Sequence, residues 1–166
     1  MGSSISKKIK EASSSGSITH NVEGNLPLLK GSPGQDSGNF TSKNKLLALV
    51  VDDNRVNRRI LGMFLSKLGV DSQEAENGQQ AVDIFLGGAS FDIVFMDREM
   101  PVMDGLKATK MLRSIGVKTK IIGVSANNEK EEIAEFMASG INEFHTKPLD
   151  SVKLATIIRG SNGSSF

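Results

Sequence analysis

Apolar residues in this chain fall into short unbroken runs, separated by stretches in which they recur every three or four positions. Leu46-Leu47-Ala48-Leu49-Val50-Val51 is such a run, of strand length and without polar alternation, as a strand covered on both faces requires. Val56, Ile60, Phe64 and Leu68 then recur at helical spacing, and Gly69 supplies a C-terminal stop. The alternation repeats to the end of the chain. A weaker strand over 70–75 leads through Asn77-Gly78 to a helix with Ala81, Val82, Phe85 and Leu86 on one face, stopped by Gly87-Gly88. A third strand over 91–96 precedes a helix from about 105 to 115 that ends at Gly116. A fourth strand over 120–124 precedes a helix whose Ile133, Phe136 and Met137 face inward, ending at Gly140. A fifth strand over 141–144 precedes a last helix lined by Leu149, Val152, Leu154 and Ile157. Strand–helix units in succession predict an α/β fold: a doubly wound five-stranded parallel sheet with helices on both faces, because parallel strands need crossovers and these are right-handed.

Before the first strand the texture differs. Residues 1–44 are rich in Ser, Gly and Asn with Phe40 as their only aromatic, too little apolar surface to offset the entropy of ordering, so a disordered tail is expected there. The folded domain is expected over 45–160, with 161–166 a flexible Ser/Gly-rich stub and no further module after the last helix. A length of 166 residues suits one domain plus a tail. Cysteine is absent and histidine limited to His20 and His145, which excludes a disulfide framework and thiolate or histidine-rich metal sites. A reducing setting fits best, cytoplasmic and open to the nucleus. The formal net charge of +1 gives no general pull toward nucleic acid, and the lack of Trp and Tyr removes the usual stacking platforms, so no direct nucleic-acid binding is expected. No apolar stretch approaches the roughly 18 residues needed to span a bilayer.

Candidate chemistry sits in one order along the chain: Asp52-Asp53, Asp97, Met100-Pro101 with Asp104-Gly105, Ser125 and Lys147-Pro148. Each reactive group follows or closes an expected strand, and the carboxyl ends of the strands are where parallel α/β sheets bind ligands. Any one Asp in such a place can simply be the N-cap of the next helix, and Ser125 or Lys147 alone can be a helix cap or a solvated lysine. The combination says more. The usual doubly wound order 2-1-3-4-5 makes the first and third strands neighbours and brings three carboxylates to one rim. Like charges about 4 Å apart repel by about 4 kcal/mol at an effective dielectric near 20, so a cation is implied. Oxygen-only ligands suit Mg²⁺, which is held by one or two carboxylates with a phosphate oxygen and waters. Asp97 is the candidate nucleophile, since a carboxylate can attack a phosphoryl group to give an aspartyl phosphate. Lys147 would supply a fixed positive charge to that group and Ser125 a hydroxyl donor. Pro101 and Gly105 fit a turn that carries the loop over the metal, where a backbone carbonyl would complete the coordination; an ordinary strand-to-helix turn fits them too. A cis Lys147-Pro148 bond is not supported by base rates of about 5–6% for X-Pro.

With these motifs in place, residues 46 to about 159 resemble the receiver domain of two-component response regulators. Val51-Asp52-Asp53-Asn54, Met96-Asp97-Arg98-Glu99-Met100-Pro101-Val102-Met103-Asp104-Gly105, Val124-Ser125-Ala126 and Thr146-Lys147-Pro148 are that family's motifs in that family's order. The resemblance implies a flavodoxin-like (βα)5 fold, Asp97 as acceptor of phosphate from a phosphohistidine, Asp52 and Asp53 as Mg²⁺ ligands with Asp97, and Ser125 and Lys147 on the phosphoryl group. It also favours a cis Lys147-Pro148 bond. Glu99 and small Ala126 border the path of attacking water in such domains, and Phe144 occupies the switch-aromatic position where Tyr is frequent. The Val-Asp-Asp-Asn start and the Met-Pro-Val-Met-Asp-Gly loop look most like receivers of multistep phosphorelays, and a Met-initiated chain without an output module resembles the short plant regulators called type C. That likeness implies a histidine phosphotransfer protein or histidine kinase as partner, cytokinin signalling as the setting and a monomeric state.

Two further readings stand beside this one: a non-catalytic module that docks on a phosphotransfer protein, and a receiver cut from a hybrid histidine kinase. Separately, Met1-Gly2-Ser3-Ser4-Ile5-Ser6 satisfies the N-myristoylation pattern at Gly2, with Lys7, Lys8 and Lys10 as a second, electrostatic anchor, which would give weak membrane association. An expression leader can begin the same way.

Overall fold

The computed structural model describes residues 45–161. The expected tail with its Gly2 pattern, and residues 162–166, lie outside the described residues. Ten elements alternate: β1 (Leu47–Val51), α1 (Arg55–Lys67), β2 (Asp71–Ala75), α2 (Gly78–Leu86), β3 (Ile93–Asp97), α3 (Gly105–Ser114), β4 (Lys120–Ser125), α4 (Lys130–Ala138), β5 (Glu143–Thr146) and α5 (Ser151–Ser161). The five strands form one parallel sheet in the order β2-β1-β3-β4-β5, as the pattern predicts. No described helix is long and apolar enough to cross a membrane.

Unbroken apolar strands follow from cover on both faces, because successive side chains point to opposite sides. On one side Leu49, Val51, Val94, Met96 and Ile121 pack against Ala81, Val82, Ala108, Leu112 and Phe136 from α2, α3 and α4. On the other, Ala48, Val50, Ile93, Phe95, Ile122 and Val124 meet Leu65, Leu154, Ile157 and Ile158 from α1 and α5. The register levels the strand ends that matter: Val51 lies opposite both Ala75 and Met96, Asp97 opposite Val124, and Ser125 opposite Thr146.

The structure corrects several details. β3 and β5 begin and end two residues or so later than the apolar runs suggest. Phe91 and Ile141 are buried ahead of their strands, Phe91 edge-on to Phe85 at 5.3 Å, so burial begins before ladder pairing does. The helical stripes are also rotated. In α1 the row Val56, Ile60, Phe64, Leu68 advances by four residues a step, about 40° more than a full turn each time, and drifts off the buried face. Val56, Ile60 and Leu68 are exposed, while Leu65 is fully buried and Leu61 and Phe64 pack against the core. Leu86, Met137 and Val152 likewise face solvent. α5 continues through Gly160 to Ser161, one residue past the expected domain edge.

The loop from Asp97 to α3 carries the one non-glycine residue with a positive φ among the described residues, Val102 at 69°, inside a tight turn closed by the Met103 N–H donating to the Pro101 carbonyl at 2.8 Å. A β-branched residue in that region is strained, and Val102 makes little use of its side chain because it is 81% exposed. Val102→Asn is therefore expected to raise stability by about 0.5–1 kcal/mol, read as a higher denaturant midpoint at unchanged slope. A midpoint at or below the native value would remove the strain argument.

Candidate active site

β1 and β3 are hydrogen-bonded neighbours, and both stop at the same edge. That edge brings carboxylate oxygens of Asp52, Asp53 and Asp97 within 4.8 Å of one another. Asp52 and Asp97 are buried, Asp53 is exposed. None of the three is a helix cap. Asn54 caps α1, accepting from the Val56 and Asn57 N–H groups, and Asp104 caps α3, accepting from Lys107 N–H at 2.8 Å. The ordinary reading of an Asp after a strand is therefore filled by other residues.

Lys147 follows β5 and crosses the edge to the cluster, with Nζ 2.8 Å from Asp52 Oδ2 and 3.1 Å from Asp97 Oδ2. Its backbone N–H donates to the Ser125 carbonyl at 2.8 Å, which aligns the ends of β4 and β5. The Lys147-Pro148 peptide is cis. Ser125 is buried, and its Oγ accepts from the Asn127 N–H at 3.1 Å. Glu99, Pro101, Ser125 and Ala126 border the same cleft as Asp53, Asp97 and Lys147. Phe144 is half-buried against the core face shared with Phe136. Gly105 is required where α3 begins, because a Cβ there would collide with the Asp97 carbonyl oxygen.

Burial and neighbouring charges act on Asp97 and Lys147. Burial pushes the Asp97 carboxyl up to about 6, and the Asp52 charge adds to this while the Lys147 ammonium opposes it. Burial by itself would lower the Lys147 ammonium, but hydrogen bonds and attraction from Asp52 and Asp97 outweigh it and raise its pKa. Three carboxylates facing one ammonium leave an excess of two negative charges when all are ionised. Such an excess on hard oxygen donors fits a divalent cation of the Mg²⁺ type.

The sequence matches the family described as the response regulator receiver domain over residues 48–159. This chain belongs to that family. Among similar proteins, the receiver is 42% identical over 121 residues to two-component response regulator 24 of Arabidopsis thaliana, covering 73% of this chain and 87% of that one. It is 43% identical over 119 residues to two-component response regulator ARR22 of the same plant, covering 70% and 84%. Among solved structures it resembles the co-crystal of the Saccharomyces cerevisiae histidine phosphotransfer protein Ypd1 with the receiver domain of its downstream response regulator Ssk1, at 31% identity and a TM-score of 0.64, covering 69% of this chain and 86% of that one.

Asp52, Asp53, Asp97, Glu99, Ser125, Ala126 and Lys147 lie together at this edge, whereas Phe144 lies on β5 against the core. Sequence reasoning passed over three others. Asn57 directs Nδ2 at both Asp52 carboxylate oxygens, at 3.4 and 3.3 Å. Arg98 ties the loop after Asp97 to α4 through Glu132 and Glu135, at 3.3 and 3.2 Å. Arg58 is buried beneath the Asp52-Asp53 turn. A signal for Arg58 existed, since it heads the 58/61/65 row that forms the true buried stripe of α1, where a charge is out of place without a task.

Proposed function

We propose that this receiver takes a phosphoryl group from a phosphohistidine onto Asp97. The observation that carries the reading is the Asp97 carboxylate held 3.1 Å from Lys147 Nζ within a three-carboxylate cluster. Asp52, Asp53 and Asp97, with the Glu99 backbone carbonyl, would hold Mg²⁺, which supplies charge neutralisation to the transferring oxygens. The remaining work falls to the chain. An Asp97 carboxylate oxygen attacks phosphorus, the P–N bond to the donor imidazole breaks, and the imidazole leaves as a neutral ring, taking its proton from solvent. Lys147 offers fixed positive charge and Ser125 a hydroxyl donor to the phosphoryl oxygens as the acyl phosphate forms. The β4 and β5 ends carry both groups at the same edge as Asp97, which supports this role.

The donor is a histidine phosphotransfer protein, and exposed Val56, Ile60 and Met63 on α1 give it an apolar surface to meet. Exposed Ala126 and Glu99 at the cleft mouth leave room for water to attack phosphorus, releasing phosphate and restoring the Asp97 carboxylate. Hydrolysis of this kind would make the receiver a drain for the donor's phosphate. The test is incubation with ³²P-labelled phosphotransfer protein, with and without Mg²⁺, following label on both proteins and free phosphate. Mg²⁺-dependent loss of donor label is expected, and its recovery as free phosphate rather than stable protein label would identify the drain. Binding without loss of label would leave a docking module instead.

A further inference from the structure

Arg58 has no part in the chemistry above, yet it is a full charge with 4% of its surface exposed. Its guanidinium is divided between the turn that carries the acidic pair and the end of β2. Nη1 donates to the Asp52 carbonyl at 2.8 Å and to the Asp53 carbonyl at 3.3 Å. Nε and Nη2 reach Glu74 and Glu76 at the end of β2, at 3.0 and 3.3 Å. The same turn is tied to β2 a second time by the Asp52 N–H, which donates to the Ala75 carbonyl at 3.2 Å.

The two carboxylates differ in what else directs them. Asp52 has Lys147, Asn57 and the Asn54 N–H. Asp53 has no hydrogen bond or ion pair to its carboxylate among the described residues, so its aim into the cluster is set by its backbone, and that backbone is what Arg58 holds. We propose that Arg58 is a positioning residue for the cation site, clamping the Asp52 and Asp53 carbonyls so that the Asp53 carboxylate stays beside Asp97 against their mutual repulsion. Glu74 and Glu76 serve as the anchor of the clamp on β2. This inference rests on the reading of Asp52, Asp53 and Asp97 as Mg²⁺ ligands.

A buried ion pair adds little net stability by itself, and Glu74 and Glu76, both in reach of solvent, return to water when their partner is removed. Arg58→Met, of similar length, should therefore fold while losing the clamp. Mg²⁺ binding by calorimetry on the native chain, Arg58→Met and Arg58→Lys separates the possibilities, with thermal melts establishing that each is folded at the working temperature. The expected result is a Mg²⁺ dissociation constant raised about tenfold in Arg58→Met and less in Arg58→Lys, whose ammonium can reach a single carbonyl. Metal-free Arg58→Met should also show faster amide exchange at Asp53 and Asn54, and its phosphorylation by a small donor should lose more in Mg²⁺ dependence than in rate at saturating Mg²⁺. Folded Arg58→Met that binds Mg²⁺ within twofold of the native chain overturns the inference and leaves the site reading intact. A native chain that binds no Mg²⁺ overturns both. Should Arg58→Met not fold, Arg58→Lys decides: weakened Mg²⁺ binding supports the clamp and native affinity overturns it.

Discussion

Asp97→Asn is expected to abolish Mg²⁺-dependent removal of label from a phosphorylated histidine donor, with no protein-bound phosphate formed above background. The substitution keeps the shape of the side chain, the strand that carries it and the Lys147 contact on its oxygen. What it removes is an anionic nucleophile, and an amide oxygen at neutral pH does not substitute for one. Loss of a nucleophile commonly costs several orders of magnitude in rate, on the order of 10³ or more, because positioning and fixed charge accelerate nothing when no bond can form. Folding of the variant is checked by its melting profile and its recognition of the donor by titration with unphosphorylated phosphotransfer protein. Retained binding with lost transfer places the chemistry on Asp97. Transfer at more than a few per cent of the native rate would move the acceptor to another residue.

How much of this was legible in the sequence depended on the length scale of the signal. Leu46 to Val51 reads as a doubly covered strand because every position is apolar, and β1 is indeed buried from Ala48 onward. The site reads as well, for a topological reason. Once the strands are ordered 2-1-3-4-5, residues far apart in sequence such as Asp52, Asp97 and Lys147 have only one edge on which to meet, and there Lys147 Nζ lies within 3.1 Å of both carboxylates. Helix faces were less legible. Val56 and Ile60 look like core residues at their spacing but are exposed, because a step of four residues drifts off the buried face of the helix. Arg58 was missed because a charged residue is read as solvated unless the buried stripe is already known. The cis peptide at Lys147-Pro148 came from likeness to a family, not from any property of the dipeptide.

Asp97→Asn should also make the metal-free domain more stable at neutral pH, and the sign follows from the raised pKa of the native carboxyl. In the unfolded chain Asp97 releases its proton near 3.8, whereas in the fold burial delays release to about 6. Below about pH 3.8 both states carry the proton and ionisation costs folding nothing. Between about 3.8 and 6 the folded state retains a proton the unfolded state has lost, so the contribution of Asp97 to stability falls as pH rises, and above that window the full penalty stands. A shift of this size corresponds to a penalty on the order of 3 kcal/mol, which the neutral Asn does not incur. Denaturation in EDTA at pH 7.5 should therefore show Asp97→Asn above the native chain by about that amount, with the gap closing toward pH 4. Mg²⁺ should reverse the order. An ion bound only by the folded state stabilises the native chain by mass action, while the variant has lost one anionic ligand and gains less. A gap that ignores both pH and Mg²⁺ would mean that the Asn stabilises by packing alone. A gap that responds to both identifies the penalty as electrostatic, the cost of burying a charged Asp97 beside Asp52, offset only in part by Lys147 and relieved when a cation arrives.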